Sequence, residues 1–134
     1  SGGDCPGINA TIRGVGKTAI MHYGMEVIGI HSGFVGLLNK DVQTFDERSL
    51  SGILNLGGTI LGTSREKPFR KLLASGESEK PQLIRQNYEE LGLDCLVCIG
   101  GNGTQKNRRY ALGDGFERDR SCRRLSITTS GGQI

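Results

Sequence analysis

Apolar positions recur at helical spacing near the start of the chain. Ile8, Ile12, Val15, Ala19 and Ile20, with polar residues between them, predict an amphipathic helix from Ile8 to about Tyr23. Gly24 is placed to stop it. The period then changes. Met25–Ile30 is a short run holding Val27, Ile28 and Ile30, the pattern of a buried strand. Gly33-Phe34-Val35-Gly36 reads as a loop, and Val42–Phe45 as a further strand. Asp46 is placed to cap a helix over Ser49–Leu54. Gly57 to Arg65 is punctuated by glycine, with a short extended piece at its centre, and residues 66–80 are polar and loop-like. Pro81 to Leu91 reads as a helix with Pro81 in its first turn. Cys95–Ile99 is uninterrupted and apolar, the clearest strand of the chain. Gly100-Gly101-Asn102-Gly103-Thr104 follows, and a helix begins at about Thr104. Strand, glycine turn and helix therefore alternate. That order predicts an α/β fold: a mostly parallel sheet with helices on both faces, in three Rossmann-like layers. It is incomplete, because residues 1–7 read as the loop after a strand that the sequence lacks.

Composition narrows the class. The 134 residues include 22 glycines, more than twice the usual ~7 %. They cluster instead of recurring every third residue, which excludes collagen. Four cysteines are too few for a disulfide scaffold. No apolar run approaches the ~20 residues of a membrane helix, and Ser1–Asp4 is not a signal peptide. The absence of an initiator methionine suggests a start inside a longer protein. Net charge is +3, unevenly distributed. Residues 1–105 carry ten Lys and Arg against eleven Asp and Glu, whereas residues 106–134 carry seven against three. Such a basic tail would suit nucleic acid.

Three glycine-rich turns hold the candidate chemistry: residues 1–7, 57–65 and 100–104. In an α/β sheet the turns after the strands line the ligand crevice. Glycine lets backbone approach an anion, and helix N-termini aim N–H groups at it. Three such turns point to a polyphosphate. Arg65 can clamp phosphate oxygens in a fork, Thr104 offers a hydroxyl, and Asn102 an amide able to support a metal-bound water.

Other motifs read as structure. Gly14-Val15-Gly16-Lys17-Thr18 imitates the end of a P-loop, but Thr11 stands where the pattern needs glycine and the segment lies within a helix. Cys95 and Cys98 form a CxxC whose members, on a strand, face opposite sides, so they read as core and not as a metal or redox pair. Cys5, in the first turn, is the more exposed and reactive thiol. His22 and His31 show no partner pattern, and the sequons at Asn9 and Asn102 have no secretory context.

Ser1-Gly2-Gly3-Asp4-Cys5-Pro6-Gly7-Ile8-Asn9-Ala10, Gly57-Gly58-Thr59-Ile60-Leu61-Gly62-Thr63-Ser64-Arg65 and Ile99-Gly100-Gly101-Asn102-Gly103-Thr104, in this order and spacing, resemble the 6-phosphofructokinase family. The resemblance covers residues 1–106, the first part of a longer two-domain enzyme. It implies transfer of the ATP γ-phosphate, with Mg²⁺, to the C1 hydroxyl of fructose 6-phosphate, in a cytoplasmic homo-oligomer with no membrane or nucleic-acid partner. It places Gly3, Arg65, Glu66, Gly101, Asn102, Gly103 and Thr104 at the nucleotide phosphates and Phe34 on the adenine side. Asn102 stands where the family usually has a magnesium-holding Asp. Gly103 matches the ATP users; pyrophosphate-dependent members carry Asp there. Arg13 and Lys17 match basic positions of the bacterial effector site, whose third basic position is here Leu56.

After Lys106 the resemblance stops, and the Thr-Ile-Asp-Asn-Asp segment with the family's catalytic base is missing. A codon choice for Ser121–Ile134, read two bases on, spells Val-Pro-Lys-Thr-Ile-Asp-Asn-Asp-Ile-Trp-Gly-Thr-Asp. A different shift at Gly115–Arg120 spells Gly-Leu-Asn-Val-Ile-Gly. Residues 107–134 therefore read as an out-of-frame tail, expected to pack poorly and to leave apolar surface bare, since it has no reason to match the sheet. The catalytic base would lie outside the chain, and the fragment itself would be inactive. The alternatives are a pyrophosphate-dependent phosphofructokinase or a non-catalytic nucleotide-binding module with a basic interaction tail.

Overall fold

The computed structural model describes residues 6–64, 79–112 and 122–130. Helix α1 (Ile8–Tyr23) leads into β1 (Glu26–Ile30), α2 (Phe34–Asn39) and β2 (Val42–Phe45). Then come α3 (Glu79–Glu90), β3 (Cys95–Gly100), α4 (Asn102–Leu112) and β4 (Arg124–Ser130). The four strands form one sheet in the order β2-β1-β4-β3. β4 is parallel to both neighbours, with Ile28 opposite Ser126 and Val97 opposite Ile127. β2 alone runs antiparallel, pairing Val27 with Phe45. The sheet is thus mostly parallel, as the alternating pattern predicts, with one antiparallel strand at its edge.

Alternation along the strands splits the core into two layers. Val27, Leu125 and Ile127 face α1, where they join Ile12, Ala19, Phe45, Leu50, Ile53 and Leu61. Ile28 and Ile30 face the other way, onto Phe34 and Leu37 of α2 and Ile84 and Tyr88 of α3. Cys95 and Cys98 fall on opposite sides of β3, as two strand residues three apart must. Asn87 ties the second layer together: its Nδ2 donates to the Leu37 and Leu38 carbonyls at 2.9 and 2.8 Å.

Several local expectations change. Gly33-Phe34-Val35-Gly36 is not a loop. Gly33, at φ 67° and ψ −140°, turns the chain into α2. A Cβ at Gly36 would lie 1.8 Å from the His31 carbonyl oxygen, so these glycines mark a tight strand-to-helix junction. Ser49–Leu54 is not a helix. Asp46 and Ser49 exchange capping bonds at 2.7 and 2.8 Å, but Gly52 takes φ +81° and ends the turn there. The expected extended piece within residues 57–64 is a turn, closed by Gly62 N–H donating to Thr59 O at 3.2 Å.

The largest correction concerns the tail. Residues 124–130 do not pack poorly; they form a central strand in which Ser126, Ile127 and Thr129 have no exposed surface. The reason is physical and local. Leu125 and Ile127 alternate with small polar residues, so one face matches the α1 layer. The backbone supplies the hydrogen bonds that β1 and β3 would otherwise lack. The start of the strand is also clamped. Asp94 accepts from the Arg123 and Arg124 N–H groups at 2.9 and 2.8 Å, which hold its carboxyl below the usual range. Arg124 grips Glu26 through Nε and Nη2, and donates through Nη1 to Leu91 O at 2.7 Å. Cys95 is bonded to Cys122, a disulfide that the low cysteine count does not announce.

Candidate functional site

β1, β3 and β4 are parallel, so their C-terminal ends share one edge of the sheet. The described parts of the three glycine turns meet there, as their expected position after strands requires. Asn9, in the first turn of α1, is fully buried. Its Nδ2 donates to Leu56 O at 3.1 Å, and its Oδ1 accepts the Ile60 N–H at 2.7 Å. It thereby fastens the first turn to the second. The second turn is held in the same way to the strand ends. Ser32 N–H, just past β1, donates to Leu61 O at 2.8 Å, and Thr129, near the end of β4, donates to Gly62 O at 2.6 Å. Thr59 Oγ1 lies 3.3 Å from Thr129 Oγ1 and also accepts the Leu61 N–H. Beside these, Ile99 and Gly100 of β3 pair with Thr129 and Ser130, so the third turn leaves the sheet next to the second.

That third turn runs straight into α4. The Thr104 and Gln105 N–H groups donate to Gly101 O at 3.0 and 3.2 Å. Gly101 and Asn102 are exposed and Gly103 is half-buried at the helix start, while Thr104 is turned into the protein and 1 % exposed. A helix start presents N–H groups without intrahelical partners, and its dipole favours an anion. At Gly101 a Cβ would meet nothing within 4 Å, and the residue does not need a positive φ. Neither packing nor backbone conformation therefore demands glycine there, as at Gly14 and Gly57, but Gly101 is the one of the three that leads directly into a helix start.

The other expected site residues are distributed as follows. Phe34 stands just beyond the same edge but is 3 % exposed and belongs to the α2 layer of the core. Arg13 and Lys17 lie one turn apart on α1, both half-buried, and the Arg13 Nε has no hydrogen-bond partner among the described residues. Leu56 is 53 % exposed and contributes its carbonyl to Asn9. Gly3, Arg65, Glu66 and Cys5 lie outside the described residues. Gly16 has a packing role, since a Cβ there would come within 2.7 Å of Leu50 Cδ1, and this accounts for the P-loop-like segment without a phosphate.

Asn9 and Thr129 are the residues that sequence reasoning missed. The signal for Asn9 is a polar residue between Ile8 and Ile12, on the inward side of an amphipathic helix. Thr129 had no usable signal, because its role comes from the position of β4.

Asn102 offers a neutral amide oxygen where magnesium is ordinarily held by carboxylate and phosphate oxygens. No group of three His, Cys, Asp or Glu capable of holding a metal is present among the described residues. The described residues do not, by themselves, build a magnesium site.

Comparison with known proteins agrees with this architecture. The chain is 74 % identical over 106 residues to ATP-dependent 6-phosphofructokinase 3 of Bacteroides thetaiotaomicron, covering 79 % of this chain and 32 % of that protein. It is 45 % identical over 103 residues to a pyrophosphate–fructose 6-phosphate 1-phosphotransferase of Dictyoglomus thermophilum, covering 77 % of this chain and 28 % of that one. The chain thus spans about a third of the length of the curated relatives it matches. Phosphofructokinase of Pichia pastoris in the T-state superposes with a TM-score of 0.73 at 30 % identity, over 98 % of this chain and 14 % of that one. That superposition reaches beyond the sequence resemblance and takes in β4. The Phosphofructokinase family model matches residues 1–111, and the chain belongs to that family.

Proposed function

We propose that the chain is the nucleotide-cradling first third of an ATP-dependent 6-phosphofructokinase, a cytoplasmic enzyme that phosphorylates the C1 hydroxyl of fructose 6-phosphate. The observation that carries this is the exposed Gly101–Asn102 start of α4, where neither packing nor backbone conformation demands glycine and three turns are tied to one sheet edge. Phosphoryl transfer is catalysed mainly by positioning and by neutralising charge. Here the backbone N–H groups of residues 101–103 would hold phosphate oxygens, and Gly103 leaves room for the phosphates beyond the one cradled. When bound, magnesium would neutralise phosphate charge. Arg65 and Glu66 complete the phosphate side in this reading, with Gly3 at the first turn, Thr104 beneath the third and Phe34 toward the adenine. Arg13 and Lys17 supply two of the three basic positions of an anionic effector site, and Leu56 leaves the third without a charge. The catalytic base, the sugar site and the subunit contacts of a homo-oligomer belong to the remaining two thirds. Residues 107–134 are an out-of-frame replacement for the start of that remainder, so the 134 residues alone turn over neither donor.

A pyrophosphate-dependent enzyme is the second reading, favoured by the name of the Dictyoglomus thermophilum relative. The test is to join residues 1–106 to a family-length remainder and compare donors. ATP should give the higher kcat/KM, and Gly103→Asp should depress ATP use by orders of magnitude through steric conflict and like-charge repulsion. A higher kcat/KM with pyrophosphate, and ATP use indifferent to Gly103→Asp, would establish the second reading instead.

A further inference from the structure

A strand buried on both faces of a parallel sheet is ordinarily an apolar run. β4 is not one. On the α2 and α3 side it presents Ser126 and Thr128, opposite Ile28 and Ile30 of β1. Ser126 Oγ donates to Cys95 O at 2.8 Å, but the buried Thr128 hydroxyl has no partner among the described residues, an unfavourable arrangement in a dry interior. β4 therefore gains little from that face. The buried apolar residues of that layer, Ile28, Ile30, Phe34, Leu37, Ile84, Tyr88 and Leu93, all come from other segments. At its start Asp94 and Arg124 lie beside the Cys95–Cys122 bond, while further along it is held by the two ladders, by Leu125 and Ile127 on the α1 side, and by Thr129 on Gly62 O. Both cysteines are only partly buried, so a small thiol can reach them.

We propose that the Cys95–Cys122 disulfide is a thiol-operated latch on β4: an external dithiol opens it, and residues 122–130 then leave the slot between β1 and β3. In the opening step a thiolate of the dithiol attacks one of the two sulfurs. The other departs as a thiolate and takes up a proton. The second thiol of the reagent, deprotonated, then closes on the mixed disulfide and expels the first sulfur, which is protonated in turn. The reagent ends as a cyclic disulfide, and the protein gains two electrons and two protons. Cys98 cannot relatch the strand by taking the place of Cys95. It lies on the opposite face of β3, and burial pushes its thiol up to about 12. The latch spans 27 residues. Opening a loop of that length favours the released chain by on the order of a few hundred-fold.

The experiment uses the full 134-residue chain with and without dithiothreitol. Peptide mapping of the unreduced protein should recover Cys95 and Cys122 in one linked species. Hydrogen exchange should show protection across residues 124–130 falling by on the order of a few hundred-fold on reduction. The amides of α2 and α3 should keep theirs. Cys122→Ser should reproduce the reduced pattern and abolish the response to the dithiol. Unlinked cysteines in the unreduced chain, unchanged protection of β4 on reduction, or equal loss across α2 and α3 would each overturn the proposal. If Cys122→Ser does not fold, the reduction of the unaltered chain decides by itself.

Discussion

β3 and β4 run side by side in the same direction, and they reverse the relation between apolar sequence and burial. β3 is Cys-Leu-Val-Cys-Ile-Gly, and every residue before its glycine is only half-buried. β4 is Arg-Leu-Ser-Ile-Thr-Thr-Ser, and its residues from Leu125 to Thr129 are buried. The difference lies in place. β3 is an edge strand, whereas β4 has a parallel partner on each side. The α1 face beside β3 is also open, with a groove of about 440 Å³ lined by Gly14, Val15, Thr18, Tyr23, Val97 and Leu125 among others. Burial here is a property of the slot, and composition only decides how comfortably the strand occupies it.

The contrast can be broken most sharply by truncation at paired positions. Ile127→Ala, at a site with no exposure, is expected to cost about 2–5 kcal/mol, while Val97→Ala on the edge strand should cost about 1 kcal/mol. Urea denaturation of both variants decides it; a Val97 cost equal to that of Ile127 would mean that the groove side is covered in solution.

A smaller effect should come from the clamp at the start of β4. Asp94→Ala removes the acceptor of two N–H bonds and should cost roughly 1 kcal/mol, discounted for the exposure of the carboxylate. The pH dependence follows from its lowered pKa. The contribution is fully present above the unfolded value of about 3.9 and is lost as pH falls through the lower folded value. Parent and variant should therefore differ at neutral pH and converge in strong acid. A difference that persists after the carboxyl is fully protonated in both states, as followed by its own titration, would assign the loss to packing. Smallest is the Arg124–Glu26 pair, with side chains 38 % and 43 % exposed. Glu26→Gln should cost about 0.5 kcal/mol and less in high salt, measured by thermal melts across salt concentrations.

The legible and illegible parts of the sequence divide along the same line. α1, β1, β2, α3 and β3 carry their own periodicity, and the three turns carry their glycines, so both the layered fold and the gathering of the turns at one sheet edge are visible beforehand. α2 was hidden because the glycines that permit a tight junction look like loop residues until the His31 carbonyl is seen against Gly36. β4 was hidden more deeply. Leu125 and Ile127 among serines, threonines and arginines make a weak strand signal, and only the unpaired edges of β1 and β3 turn it into a strong one. Cys122 is meaningful only once β4 brings it to Cys95. At the site, the Gly101 turn was readable as local chemistry, while Asn9 and Thr129 act across the fold, through Ile60 and Gly62.

The strand order has a consequence for how the molecule assembles. β1 and β3 never touch as strands; each is joined to the sheet through β4, the last described element of the chain. The pairing of Glu26 with Arg124 closes a contact across 98 positions, and such distant pairings make folding slow. A chain synthesised as far as Leu112 holds an antiparallel β1–β2 pair and a separate β3, each with an open hydrogen-bonding edge. Open edges of this kind recruit other chains. Assembly is therefore a race between the arrival of one seven-residue strand and self-association of the two edges that await it.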